Sequence, residues 1–332
     1  MHYPHPHTAR DDRFENMSYR DCGKSGVNLP AVSLGLWNNF GENDIYSTCK
    51  DLVFTAFDCG INHIDIANNY GPPGHEAERT FGRIFNDHLG HYRDELFIAT
   101  KAGHGPWPSP TMKRGSKKSI LSSLDRSLSA LGMEYVDLLY QHRPCPDTPV
   151  EESMDALLTA VRQGKALYVG ISNAKPDDIE KSATCLAEQN SHLLIEQHHY
   201  SMLSRHVEHA LAAPLEKHGV GCIAFSPLCQ GILTDKYLDG IPQDSRAGKG
   251  RSLDVDNITK EKLDKARALN VIAKERGQTL AQMALQWTIR LPLISSVLIG
   301  ASRPEQIIEN AKIAQAAPFS DEELSEIEEV LR

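Results

Sequence analysis

Apolar and polar positions along this chain fall into a repeating order: a short apolar run, a turn, then an amphipathic stretch. Residues 61–66 (I-N-H-I-D-I) predict a short buried strand behind Gly60. The run Gly71-Pro72-Pro73-Gly74 then forces a loop, and a helix follows over 76–89. The order recurs as strand 96–101 with helix 119–131, strand 136–142 with helix 150–163, and strand 166–172 with helix 177–189. Strand 193–197 with helix 207–218 and strand 220–225 continue it. Upstream, a small hairpin over 19–26 is expected to plug one end, before a strand over 31–37 and a helix through Phe57 that Asp44 caps. Downstream, residues 226–258 form a long loop with two Gly-rich turns, a length that usually marks function. Helices over 260–276 and 280–291, a strand over 296–299 and a helix over 304–314 come next. Ser320 and Glu323 make a capping box for a last helix.

Eight strands, each followed by a helix with no break in composition, predict a single α/β domain, a parallel (β/α)8 barrel. It would span 19–332, with the hairpin at one end, extra C-terminal helices, and residues 1–18 as a flexible tail. A doubly wound sheet fits less well, because no G-x-G-x-x-G follows an early strand.

Composition narrows the function. At 332 residues with 40% hydrophobic and 24% charged positions, the chain can bury a sizeable core. A net charge of −9 and the absence of a long basic run set nucleic acid aside; the cluster from Lys113 to Lys118 reads as a solvated helix entrance. No apolar run approaches the roughly 18 residues of a membrane span and no signal-peptide core is present, so a cytoplasmic protein is expected. Seven scattered cysteines without a C-x-x-C pair suggest neither a zinc site nor a disulfide framework. Cys222 reads as a core residue, and Cys229, in the long loop, has no evident activating base. His2, His5 and His7 sit between prolines in the terminal tail, so no metal is expected there.

In a parallel barrel, chemistry sits at the carboxyl ends of the strands. Those ends carry Asp65 with Tyr70 just beyond it, Lys101 and His142, three adjacent strands aimed at one spot. Buried ionisable groups are costly unless paired, and these four pair sensibly. Asp65 can hold Lys101 as an ammonium, and that cation is expected to draw the Tyr70 phenol below its usual value of about 10. His142 is expected to hydrogen-bond the same phenolic oxygen. Such a group donates a proton to an oxyanion created by something else. With no nucleophile and no metal triad in view, an incoming hydride is the best candidate.

At this point the chain resembles the aldo-keto reductase superfamily, within it the branch of bacterial glyceraldehyde-phosphate reductases related to potassium-channel β-subunits. The resemblance runs from Tyr19 to the last helix and is carried by G-I-N-H-I-D-I-A-N-N-Y-G, I-A-T-K-A-G, Y-Q-H-R, Y-V-G-I-S-N, F-S-P-L-C-Q-G-I-L-T-D-K-Y and I-G-A-S-R-P-E-Q-I-I-E-N. The family's catalytic tetrad falls on Asp65, Tyr70, Lys101 and His142, where channel β-subunits carry Asn at the last position.

The resemblance implies NADPH lying across the barrel mouth. Ser172, Asn173 and Gln197 match the groups that bond the nicotinamide carboxamide, and Phe225 the aromatic that stacks on its ring. Trp37 and Asp65 would border the cofactor. Ser226, Pro227, Leu228, Gln230, Gly231 and Lys236, with Arg246 further on, match the loop over the pyrophosphate. Gly300, Ser302 and Arg303 precede a helix opening with Pro304, an arrangement that offers free N–H groups to the 2′-phosphate, with Gln306, Glu309 and Asn310 facing the adenine. Trp37, Tyr70, Trp107 and His142 would line the substrate pocket. The implied reaction is reduction of small aldehydes such as glyceraldehyde 3-phosphate or methylglyoxal, by a homo-oligomer of four or more copies.

Two other readings stand beside it. One is an NADPH-binding regulatory module resembling channel β-subunits, with little catalysis. The other is a metal-dependent hydrolase suggested by His198, His199, His206 and His209, whose spacing matches no ligand set; H-E-A-E-R at His75 is not H-E-x-x-H.

Overall fold

The computed structural model describes residues 5–104, 109–243 and 255–332, the last without the Val255 side chain. Strand β1 (Tyr19–Asp21) pairs antiparallel with β2 (Asn28–Pro30). The strands that follow are β3 (Val32–Gly35), β4 (His63–Asp65), β5 (Phe97–Ala102), β6 (Val136–Gln141), β7 (Ala166–Ser172), β8 (Ile195–His199), β9 (Gly221–Phe225) and β10 (Ile294–Ile299). These eight run parallel, and β10 closes back onto β3. A doubly wound sheet keeps two open edges, so the closure excludes it.

Helices alternate with the barrel strands on the outside. They are α1 (Tyr46–Asp58), α2 (Glu76–Ile84), α3 (Lys117–Leu131), α4 (Val150–Arg162), α5 (Pro176–Ala187) and α6 (Ala212–His218). After β9 come α7 (Lys260–Glu275) and α8 (Leu280–Ile289), then α9 (Pro304–Ala311) and α10 (Asp321–Leu331) beyond β10. The Ser320 capping box at α10 forms as expected.

Alternation along each strand divides the apolar residues between two cores. Outward positions such as Leu34, Ile64, Ile98 and Leu139 pack under the helices. Inward positions such as Ala99, Leu138, Tyr140, Ile195 and Ile223 fill the barrel itself. Leu29 of β2 joins this inner set, so the hairpin stops the amino-terminal end of the barrel. Arg20 fastens it there, donating to the carbonyls of Ile294 (2.9 Å) and Leu291 (3.0 Å). Cys222 is fully buried, as its apolar strand suggests.

Four local expectations differ from the structure, one of them the helix expected over 207–218, which opens with a π turn over Val207–Leu211. Ile45, not Asp44, stands at the N-cap of α1; the Asp44 carboxylate instead accepts from the Gly41 amide at 2.7 Å. The helix expected over 76–89 changes to a wider π turn over Phe85–Leu89, where Asn86 donates to the carbonyls of Gly82 and Leu131. The segment expected as a free tail is, from His5 onward, laid against the barrel. His7 donates its amide to His88, Ala9 bonds the Tyr92 hydroxyl, Arg13 pairs with Glu95, and Ala9 and Met17 are buried. Among the described residues, no helix is long and apolar enough to cross a membrane.

Candidate active site

Register places the ionisable strand ends side by side. Asp65 lies opposite Ala99, and Lys101 opposite Tyr140, on neighbouring strands of the same mouth. Because side chains alternate, Lys101 points into the barrel while Thr100 points out to α2. The Lys101 ammonium donates to the Asp65 carboxylate at 2.5 Å, the Ile66 carbonyl at 2.9 Å and the Tyr70 hydroxyl at 3.1 Å. Lys101 is fully buried and Asp65 nearly so, which is tolerable because each charge answers the other and all three ammonium protons are taken. Gln197 donates to the other Asp65 oxygen at 2.9 Å and fixes the carboxylate from across the barrel.

Tyr70 reaches this cluster from a turn. Its own amide bonds Ala67, its carbonyl receives the Ala77 amide, and Gly71 turns the chain at φ 69°. A Cβ at Gly71 would meet the Ala77 nitrogen at 2.9 Å, so the turn admits little else. The Pro72–Pro73 bond within it is cis. Fully buried Glu78 ties this turn to β5: its carboxylate accepts the Thr100 hydroxyl at 2.6 Å and lies 2.5 Å from His75 Nδ1.

The cluster differs from expectation in two respects. Burial raises Tyr70 above its usual value, and the opposing pull of Lys101 does not reverse this, so the phenol keeps its proton rather than shedding it near neutrality. Burial alone would lower Lys101, but Asp65 and Tyr70 outweigh it and hold the ammonium. His142 is driven well below its ordinary value by burial and then by Lys101, so it is neutral. Its ring meets Tyr70 edge to face, centroids 5.9 Å apart, and among the described residues its Nδ1 has no hydrogen-bond partner; the expected bond to the phenolic oxygen is not formed.

The residues expected to face a cofactor form an arc around the same mouth. Ser172 lies opposite Gln197 and donates to its carbonyl at 2.9 Å, while the Asn173 amide side chain donates to the Ser172 hydroxyl at 2.9 Å. Phe225 ends β9 half-buried, opposite His199. Beyond it, Ser226, Cys229 and Gln230 all hold positive φ, strain that accumulates at functional loops. Pro227 is buried, and Leu228 and Gly231 are half-buried in that loop; Lys236 is exposed at its far side. Gly300, Ser302 and Arg303 are exposed after β10, and Arg303 caps α9 without a side-chain bond. Gln306 takes the Ser302 amide at 2.8 Å. Glu309 is engaged with Gln282 and Lys312, and Asn310 is buried. Trp37 stands at the mouth with 45% of its surface exposed. Trp107 and Arg246 lie outside the described residues.

Cys229 is pushed up by burial, so no reactive thiolate forms there. Among the described residues, no group of three His, Cys, Asp or Glu side chains could hold a metal ion. Sequence reasoning missed Glu78, and also Glu196, a buried carboxylate that accepts the Ala174 amide at 3.0 Å and steadies the turn holding Asn173. Both sit on segments whose local pattern looks like an ordinary helix or strand face.

A family model described as the Aldo/keto reductase family matches residues 31–332. The L-glyceraldehyde 3-phosphate reductase of Escherichia coli (strain K12) is 49% identical over 326 residues, 97% of this chain and 94% of that protein. A putative voltage-gated potassium channel subunit beta of Schizosaccharomyces pombe is 35% identical over 96% of this chain and 94% of its own length. A probable voltage-gated potassium channel subunit beta of Arabidopsis thaliana is 36% identical over 95% and 97%.

Proposed function

The chain belongs to the aldo/keto reductase family, and from that premise we propose that it reduces small aldehydes, glyceraldehyde 3-phosphate and methylglyoxal among them, to alcohols with NADPH. The observation that carries this reading is the Asp65–Lys101–Tyr70 chain, a buried ion pair bonded to a half-buried phenol that keeps its proton against the paired ammonium.

A nicotinamide cofactor, when bound, supplies the hydride. The donor set fits it: Ser172, Asn173 and Gln197 present amide and hydroxyl groups together beside Asp65, and Phe225 offers a half-buried aromatic face. The uncapped start of α9 at Arg303 and Pro304 fits an anionic group.

The chain's own residues do the rest. As negative charge builds on the carbonyl oxygen, Tyr70 delivers its proton to it. Lys101 stabilises the phenolate that remains, and Asp65 keeps Lys101 charged and aimed at it. Neutral His142 offers a hydrogen bond to the substrate oxygen rather than to Tyr70.

The test is loss of NADPH absorbance with methylglyoxal and with glyceraldehyde 3-phosphate, against NADH and a Tyr70→Phe variant. Tyr70→Phe is expected to lower turnover by about a hundredfold or more while NADPH still binds. Substantial residual turnover in that variant sinks the assignment. Tight NADPH binding without turnover by the native protein favours instead a regulatory role, such as the channel-subunit relatives' names suggest.

A further inference from the structure

The charges around the mouth are unevenly distributed. The chain carries a net −9, and at the base of the site Lys101 is cancelled by Asp65. Outward from Tyr70 two arginines, Arg143 and Arg114, stand on the loops after the strands. A run of rings leads that way: Tyr70 to His142 with centroids 5.9 Å apart, then His142 to His104 at 5.5 Å, each pair edge to face. Arg143 follows His142 directly at the end of β6 and is exposed where His142 is buried. Arg114 lies on the loop before α3, also exposed.

Backbone bonds join the loops that carry these arginines and rings: the Gly115 amide, next to Arg114, donates to the Gly103 carbonyl, next to His104, at 3.2 Å, the His142 amide, next to Arg143, donates to the Ala102 carbonyl at 2.8 Å, and the Thr148 hydroxyl donates to the Arg114 carbonyl at 2.7 Å. Burial lowers His104, and Arg114 and Arg143 lower it further; Arg143 also acts on His142 and on Tyr70. Among the described residues, neither arginine is in an ion pair with a carboxylate. Lys117, by contrast, is paired with Asp155 and Arg93 with Asp137. Cations at the mouth of a site attract an anion, and a guanidinium grips phosphate by two parallel hydrogen bonds.

We propose that Arg143, assisted by Arg114 and His104, forms an anion subsite that binds the phosphate of a phosphorylated aldehyde while its carbonyl lies at Tyr70. This rests on the reductase reading above and adds to it the group that selects the substrate. His104 contributes a hydrogen bond and no charge, which leaves the two arginines as the source of selectivity. A neutral aldehyde of the same carbon chain would reach Tyr70 without using them.

The experiment compares glyceraldehyde 3-phosphate with glyceraldehyde, which differ only in the phosphate, at saturating NADPH. In the native protein the phosphorylated substrate is expected to have the lower KM, and inorganic phosphate should compete with it. Arg143→Ala should reduce the ratio of kcat/KM for the phosphorylated over the neutral aldehyde about tenfold or more, through KM rather than kcat. Arg143→Lys should restore part of it, since charge survives but the fork does not. An unchanged ratio in folded Arg143→Ala, judged by its turnover of glyceraldehyde, overturns the subsite and leaves the reductase intact. A native protein that reduces neither aldehyde with NADPH overturns the reductase reading and the subsite with it.

Discussion

Residue identity decides which groups can share a buried space, but environment decides their protonation. Tyr70 shows this directly. The sequence places a cation beside it, which argues for a lowered value, yet burial acts on the same phenol and prevails. His63 is a second case. It lies wholly inside the barrel, Nδ1 2.8 Å from the Ser33 hydroxyl, which in turn lies 2.5 Å from that of Ser296. Burial lowers it from 6.5 to about 4. In the unfolded chain His63 takes up its proton near 6.5, whereas in the native barrel it does so only near 4. The stability it contributes is therefore complete above about 6.5 and is lost as pH falls through about 4. That interval is worth at most about 3 kcal/mol. Denaturant unfolding followed between those pH values should show native stability declining toward acid, with a shallower decline in His63→Asn. Parallel curves for the two proteins would remove His63 as a source.

At the scale of elements, periodicity located nearly every strand and helix to within a few residues, because burial of one face imposes the period. The strand over Ala166–Ser172 and the capped start of α10 are matched closely. What it missed were contacts between elements. Gly82 looks like a weak point in α2, since glycine is a poor helix former. A Cβ there would stand 2.6 Å from the Leu131 carbonyl and 2.7 Å from that of Ala130, so its absence lets α2 approach the end of α3. Gly82→Ala should gain helix propensity yet still destabilise the protein, by about 1–3 kcal/mol of overpacking, in chemical unfolding. A stabilised variant would show that the two helices can separate at little cost.

For the whole molecule, barrel closure divides labour between two ends. Asp65, Tyr70, Lys101 and His142 come from consecutive strands at one mouth; at the other, β1 and β2 plug the barrel through Leu29 and the two Arg20 bonds. Arg20→Ala removes both bonds and should cost about 1–3 kcal/mol, read as a lower unfolding midpoint. Turnover at a temperature where the variant stays folded should keep its native kcat/KM, since the site lies at the opposite end. A loss of activity without a loss of stability would couple the two ends in a way the packing does not show.

Sequence alone determined the order of strands, the number of barrel units and the four polar residues at the ends of adjacent strands. Each of these is written in local period and residue type. It also carried the resemblance that points to a nicotinamide cofactor, because that is held in contiguous motifs. Only the tertiary structure decided that residues from His5 onward lie on the barrel, that Glu78 braces the Tyr70 turn, and that the loop of Arg114 is joined to the loop of His104. It also decided that Tyr70 holds its proton. Desolvation and neighbours remote in the chain come into being only when the strands assemble, and no window of sequence contains them.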